Sequence, residues 1–260
     1  MIRSGSKNHG HVAVAVDGES IGLILEALKA DGATTLTLRK QLAARAFART
    51  AAYDAAVSAW FAGQLEDAAP VRKSIAGTLA QTLRYGENPH QVATFYGNLE
   101  NWFTQLNGKE LSYNNLVDVD AAIALIKDLP LTSFAIIKHT NVCGVAQRAT
   151  IFESWQAALA GDPESAFGGV LVTNAIIDLA TAEAIQEIFF EVLIAPEFEA
   201  EALTILSAKK NRILLQSKPN TSFNKIQQKS ILNVRNDKYF INYANQVIVY
   251  FLLRIVKSIK

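Results

Sequence analysis

The sequence predicts an α/β protein in which helices pack in layers on a sheet. Short apolar runs rich in β-branched residues recur at 134–137, 170–172, 192–195 and 213–215, each bounded by turn-forming residues. Between them lie segments with apolar residues spaced three and four apart, the spacing of one helix face. Half of the 260 residues are hydrophobic, enough to bury a substantial core in one or two domains.

The elements are expected in the following order. Residues 12–16 form an apolar strand, entered through Lys7-Asn8-His9. Ile21, Ile24, Leu25 and Leu28 mark one face of a helix over 19–30, which Asp31-Gly32 ends. Residues 36–61 are an Ala-rich helix, either continuous or broken near Thr50, and Leu38, Leu42, Ala46 and Phe47 suit its buried face. This strand–helix–helix piece is too small for a self-sufficient α/β domain and reads as the end of one. The polar stretch 66–77, with Pro70, reads as a linker.

A strand at 79–83 then runs into Arg84-Tyr85-Gly86-Glu87-Asn88-Pro89-His90-Gln91. That loop is either functional, with its arginine gripping a phosphate, or an ordinary turn. Residues 102–106 are a strand ending at Asn107-Gly108, and 120–129 a helix with Ile123, Leu125 and Ile126 inward and Asp118 or Asp120 near its start. Asn114-Asn115 is first a capping arrangement, with amide contact to a heterocycle as its functional reading.

The strand at 134–137 delivers Lys138 and His139 side by side before a turn at Thr140-Asn141. An ammonium can hold a developing oxyanion and an imidazole can take a proton near neutral pH. In open α/β sheets ligands sit at the carboxyl ends of strands. The alternative is a solvated strand end. Helices follow at 151–159, 179–190 and 198–207, alternating with the remaining strands. Gly168-Gly169 either lets a ligand approach the backbone or shapes a turn.

Composition narrows the classes. Net charge is +1, which argues against a dedicated nucleic-acid surface. A single cysteine, Cys143, rules out an internal disulfide framework and fits a reducing cytoplasm. The four histidines show no metal-ligand spacing. Neither a signal peptide nor a run long enough to span a bilayer is expected. Residues 217–260 form an atypical basic tail carrying +7, against −6 for the rest. Such a tail either binds RNA or an acidic partner, or lies outside the fold. No dinucleotide, P-loop or serine-hydrolase motif is present.

Seven motifs stand in order: L-R-Y-G-E-N-P-H-Q (83–91), G-K-E-L-S-Y-N-N (108–115), D-V-D-A-A (118–122), I-K-H-T-N-V-C-G-V-A (137–146), A-F-G-G-V-L-V-T-N (166–174), E-V-L-I-A-P-E-F (191–198) and A-L-T-I-L-S-A-K-K-N-R-I-L-L (202–215). Together they resemble the AICAR formyltransferase/IMP cyclohydrolase family of bifunctional purine biosynthesis proteins. R-S-G-S-K-N-H and R-T-A-A-Y-D, within 1–60, resemble the end of that family's cyclohydrolase domain.

The resemblance implies a layered transferase domain of cytidine-deaminase-like fold at 79–216. A remnant of the α/β cyclohydrolase domain would precede it at 1–65, with a linker at 66–78. It implies formyl transfer from 10-formyltetrahydrofolate to the 5-amino group of 5-aminoimidazole-4-carboxamide ribonucleotide (AICAR), in a cytoplasmic homodimer without a metal. By resemblance His139 is the base and Lys138 orients it or holds the oxyanion. Arg84 and Tyr85 bind substrate, Asn115 contacts it, Phe167 and Gly168 wall the nucleotide pocket, and Glu191 is an acid in the substrate site. Lys7 matches a cyclohydrolase lysine. Where the family pattern K-H-x-N-P-C-G has proline, this chain has Val142. Beyond Leu215 no family motif is recognisable. The chain therefore reads as an internal fragment, either enzymatically competent or a binding or dimerisation module that kept the fold.

Overall fold

A computed structural model of the chain describes residues 1–67 and 69–219, with the backbone alone of 226–234 and 237–244. It falls into two compact units, Met1–Leu83 with Val92–Gly97, and Arg84–Gln91 with Asn98–Lys260.

The first unit holds α1 (Ile2–Lys7), α2 (Gly18–Asp31), α3 (Leu36–Gln64) and an antiparallel pair, β1 (Leu79–Leu83) with β2 (Ala93–Tyr96). Asp17 caps α2 by accepting from the Ser20 N–H at 2.7 Å, and Gly32 ends it in the left-handed conformation. Of the two possibilities at Thr50, the structure shows the continuous helix. The Thr50 hydroxyl bonds back to the Phe47 carbonyl at 3.1 Å, so it does not compete for the helix backbone from outside. Leu42 and Ala46 are buried as expected, but Phe47 faces outward. The strand expected at 12–16 does not form. No described strand pairs with it, and an unpaired strand leaves its backbone groups without a ladder. The segment lies against α1 instead, where a Cβ on Gly5 would come 3.1 Å from Val14 Cγ2.

The second unit is built on a six-stranded sheet. Its elements are β3 (Phe103–Asn107), α4 (Tyr113–Lys127), β4 (Ser133–Lys138), β5 (Asn141–Gln147), α5 (Ile151–Leu159), α6 (Pro163–Ala166), β6 (Val170–Thr173), α7 (Leu179–Ile185), β7 (Val192–Ala195), α8 (Ala200–Ser207) and β8 (Ile213–Ser217). The strand order is β3-β8-β7-β6-β4-β5. β6, β7 and β8 run parallel, joined by the α7 and α8 crossovers, while β3, β4 and β5 are antiparallel to their neighbours. This is the layered α/β architecture that the sequence predicts.

Side chains along the central strands point alternately to the two faces of the sheet. Phe134, Ile136, Leu171, Leu193 and Leu214 face a cluster completed by Trp155 of α5, Ala182 and Ile185 of α7 and Leu206 of α8. Ala135, Ile137, Val170, Val172, Val192, Ile194, Ile213 and Leu215 face the other way, against Val119, Ala122, Ile123 and Ile126 of α4. Covered on both faces, these strands have no polar side to show. That is why they read as continuous apolar runs.

Two helix boundaries differ most from expectation. α4 starts at Tyr113 rather than 120, because Ser112 caps it through a box with Asn115. α7 stops at Ile185, short of 190, because the chain must turn to feed β7. β9 (Ile226–Val234) and β10 (Asp237–Ala244) pair antiparallel in a separate sheet. Apart from these two strands and residues 217–219, the basic tail lies outside the described residues.

Candidate active site at the start of helix α4

Lys138 and His139 stand at the carboxyl end of β4, as the sequence implies. Because β4 is antiparallel to β6, that edge is the amino-terminal end of the parallel trio β6–β8. Residues 167–169 and Glu191, which immediately precede β6 and β7, therefore lie on the same edge of the sheet as Lys138.

The hairpin between β4 and β5 is one residue earlier than expected. Lys138 pairs with Asn141, leaving His139 and Thr140 as a two-residue loop. Both are left-handed, with φ of 52° and 60°. This is the conformation that matches the twist of a tight hairpin, normally assigned to Asn or Gly. For non-glycine residues it costs on the order of 1–3 kcal/mol each. The turn is held from both sides. The Asp118 carboxylate accepts the Thr140 N–H at 2.7 Å and the His139 N–H at 3.3 Å. The His139 carbonyl accepts from Thr140 Oγ1 at 2.7 Å and Asn141 Nδ2 at 2.8 Å. Val142 pairs with Ile137, and the ladder breaks register at the next residue, Cys143, which has no partner on β4.

Lys138 Nζ donates to the Phe167 carbonyl at 2.8 Å, leaving ammonium protons for a further acceptor. Phe167 is 59 % exposed and lies against Phe189, with ring centroids 5.3 Å apart. Gly168 has φ 76° and donates its N–H to the Phe189 carbonyl at 2.8 Å. A Cβ on Gly169 would come 3.0 Å from the Ile137 carbonyl oxygen. Backbone conformation at Gly168 and close packing at Gly169 therefore both disfavour a side chain.

Asn115 is buried, and its amide orientation is set by its partners. Oδ1 accepts from the Ser112 N–H at 3.2 Å and hydroxyl at 2.9 Å, while Nδ2 donates to Glu191 Oε2 at 2.7 Å. Two residues 76 positions apart are thus joined directly. Replacing Asn115 with alanine should cost about 1–3 kcal/mol, by dissolving the capping box and unpairing the glutamate. Denaturant unfolding of the two proteins checks this.

The loop 84–91 closes on itself through the Gly86 N–H to the Gln91 carbonyl, 2.8 Å, and the Asn88 N–H to Gln91 Oε1, 2.8 Å. Asn114 Nδ2 ties it to α4 through the Glu87 carbonyl at 3.4 Å. Arg84 lies over its neighbour Tyr85, 5.3 Å from the ring centroid. Among the described residues no hydrogen bond joins Arg84 or Tyr85 to Lys138, His139, Asn115 or Glu191. Lys7 belongs to the other unit, as the exposed last residue of α1.

Three side chains on the first two turns of α4 thus reach three separate motifs: Asn114 the 84–91 loop, Asn115 the β7 edge and Asp118 the β4–β5 turn. Sequence reasoning gives Asp118 no role in the site. The available signal is its spacing, three residues after Asn115 and four after Asn114, which puts it on their helix face.

Burial raises the pKa of the Cys143 thiol, and Asp162 adds to this, so the thiol is unsuited to nucleophilic attack. Among the described residues, no group of three or more His, Cys, Asp or Glu is placed to hold a metal, and no helix is long and apolar enough to cross a membrane.

The second unit is thus a mixed α/β sheet that brings an imidazole, an ammonium and an amide–carboxylate pair to one edge. The model of the AICARFT/IMPCHase bienzyme family matches residues 5–248. The chain is 57 % identical over 224 residues to the bifunctional purine biosynthesis protein PurH of Caulobacter vibrioides, covering 83 % of this chain and 42 % of that protein. Identity to PurH of Parvibaculum lavamentivorans is 51 % over 223 residues, covering 83 % and 42 %. For PurH of Bacteroides thetaiotaomicron it is 47 % over 234 residues, covering 90 % and 45 %. The chain belongs to the AICARFT/IMPCHase bienzyme family, and it spans less than half the length of these relatives. The family match runs past Ser217 into the basic segment, where the sequence shows no recognisable motif.

Proposed function

We propose that this chain carries the base-bearing part of an AICAR formyltransferase site in purine biosynthesis. The observation that supports it most is the convergence of the motif loops on the start of α4, with Lys138 and His139 at the same edge. The 5-amino group of AICAR is a poor nucleophile, because its lone pair is delocalised into the ring and carboxamide. It must lose a proton as it attacks the formyl carbon of 10-formyltetrahydrofolate. His139 takes that proton. Lys138, anchored on the Phe167 carbonyl, directs its remaining donors at the tetrahedral oxyanion. The bond from the formyl carbon to N10 of the folate then breaks, N10 takes a proton, and the formamide is released.

Arg84 and Tyr85 bind the nucleotide phosphate and ribose, Phe167 and Gly168 wall the heterocycle, and Asn115 with Glu191 contacts its polar edge. The folate is a cosubstrate, and a homodimer would complete a site shared between subunits. The first unit is read as the end of a cyclohydrolase domain, with Lys7 as its remaining site lysine.

The second reading is an inactive chain that acts at most as a binding or dimerisation module. The test is formyl transfer from 10-formyltetrahydrofolate to AICAR by the purified chain. Turnover supports the first reading; a folded protein that binds AICAR and forms no product supports the second.

A further inference from the structure

We infer that Asp118 is a positioning residue for His139, acting as an anionic clamp on the strained turn that presents the imidazole; this rests on the proposed role of His139 as the base. The turn puts two non-glycine residues in the left-handed region, at φ 52° and 60°, where the extended backbone competes. A tight hairpin leaves the amides at its tip without ladder partners. Here the His139 and Thr140 N–H groups both point to one carboxylate, at 3.3 and 2.7 Å. Hydrogen bonds to an ionised acceptor are the stronger kind. Among the described residues no lysine or arginine forms an ion pair with Asp118, so the carboxylate is not engaged by a cation.

The clamp comes from the helix that also holds Glu191 through Asn115 and the 84–91 loop through Asn114. Its register therefore sets the position of the base relative to the substrate-contacting groups. A turn in equilibrium with extended conformers would present the imidazole only part of the time. Formyl transfer depends on geometry held to a fraction of an ångström.

Asp118→Ala separates this role from a general structural one, because alanine in a helix interior favours the helix. Backbone amide exchange by NMR reads the clamp itself. The expected result is exchange at His139 and Thr140 faster by about tenfold or more, with the Ile136 amide, inside the sheet, unchanged. In the same variant kcat for formyl transfer should fall about tenfold, while KM for AICAR stays within about twofold. Asp118→Asn, which keeps one acceptor oxygen, should fall between. The double variant Asp118→Ala/Thr140→Gly should recover most of kcat, since glycine enters the left-handed region without the steric cost.

Unchanged exchange at both amides in Asp118→Ala would overturn the clamp. So would a loss of kcat that Thr140→Gly fails to restore, which would mark Asp118 as structural only. If exchange responds as expected but the unsubstituted chain transfers no formyl group, the functional reading fails, and with it the catalytic purpose of the clamp.

Discussion

His139→Ala should lower kcat for formyl transfer by about 10²–10⁴-fold, the range for removing a positioned general base. The magnitude follows from the proposed substrate, whose amine shares its lone pair with the ring and must shed a proton as it attacks. AICAR binding should survive, because the imidazole sits on an exposed turn and the groups assigned to binding come from other segments. The expected signature is a fall in kcat with KM little changed, read by steady-state kinetics on both proteins. A variant that matches the unsubstituted turnover would remove His139 from the mechanism.

Trp155→Ala should destabilise the second unit by about 3–5 kcal/mol, the usual cost of truncating a buried tryptophan. Trp155 is 1 % exposed and meets Phe134 edge-on, with ring centroids 5.1 Å apart. It pins α5 to the face of β4 opposite α4. Phe134 lies four residues before Lys138 on the same strand, so the cavity opens beneath the strand that carries the site. Denaturant unfolding followed by far-ultraviolet circular dichroism gives the change; a loss below about 1 kcal/mol would mean that the cluster repacks around the gap.

Much of the second unit is legible in the sequence for a physical reason. β4, β6, β7 and the start of β8 are buried on both faces, so only apolar residues are tolerated and the runs stand out. α5 is legible to the residue, because Thr150 and Glu153 form a capping box of the familiar composition. α4 is not. Its first turn reads Tyr113-Asn114-Asn115, which looks like turn chemistry, and its capping box uses Asn115 where Glu or Gln is the usual signal. The strand at 12–16 has the right composition but lacks a partner, which local pattern cannot reveal.

The site divides in the same way. Motifs identify Lys138, His139, Phe167, Gly168, Asn115 and Glu191 as candidates. That Asn115 bonds Glu191, and Lys138 the Phe167 carbonyl, depends on the antiparallel direction of β4 against β6 and on the early start of α4. Asp118 goes unnoticed because its partners are backbone amides, which carry no sequence signature.

The central claim is that the start of α4 gathers the motif loops into a working AICAR site. Calorimetric titration of the purified chain with AICAR, beside Arg84→Ala, tests it most directly. The account predicts saturable binding that weakens by about tenfold or more in the variant, as expected for loss of a charge-assisted phosphate contact. No heat of binding from a chain that circular dichroism shows to be folded, or equal affinity in the two proteins, would contradict it.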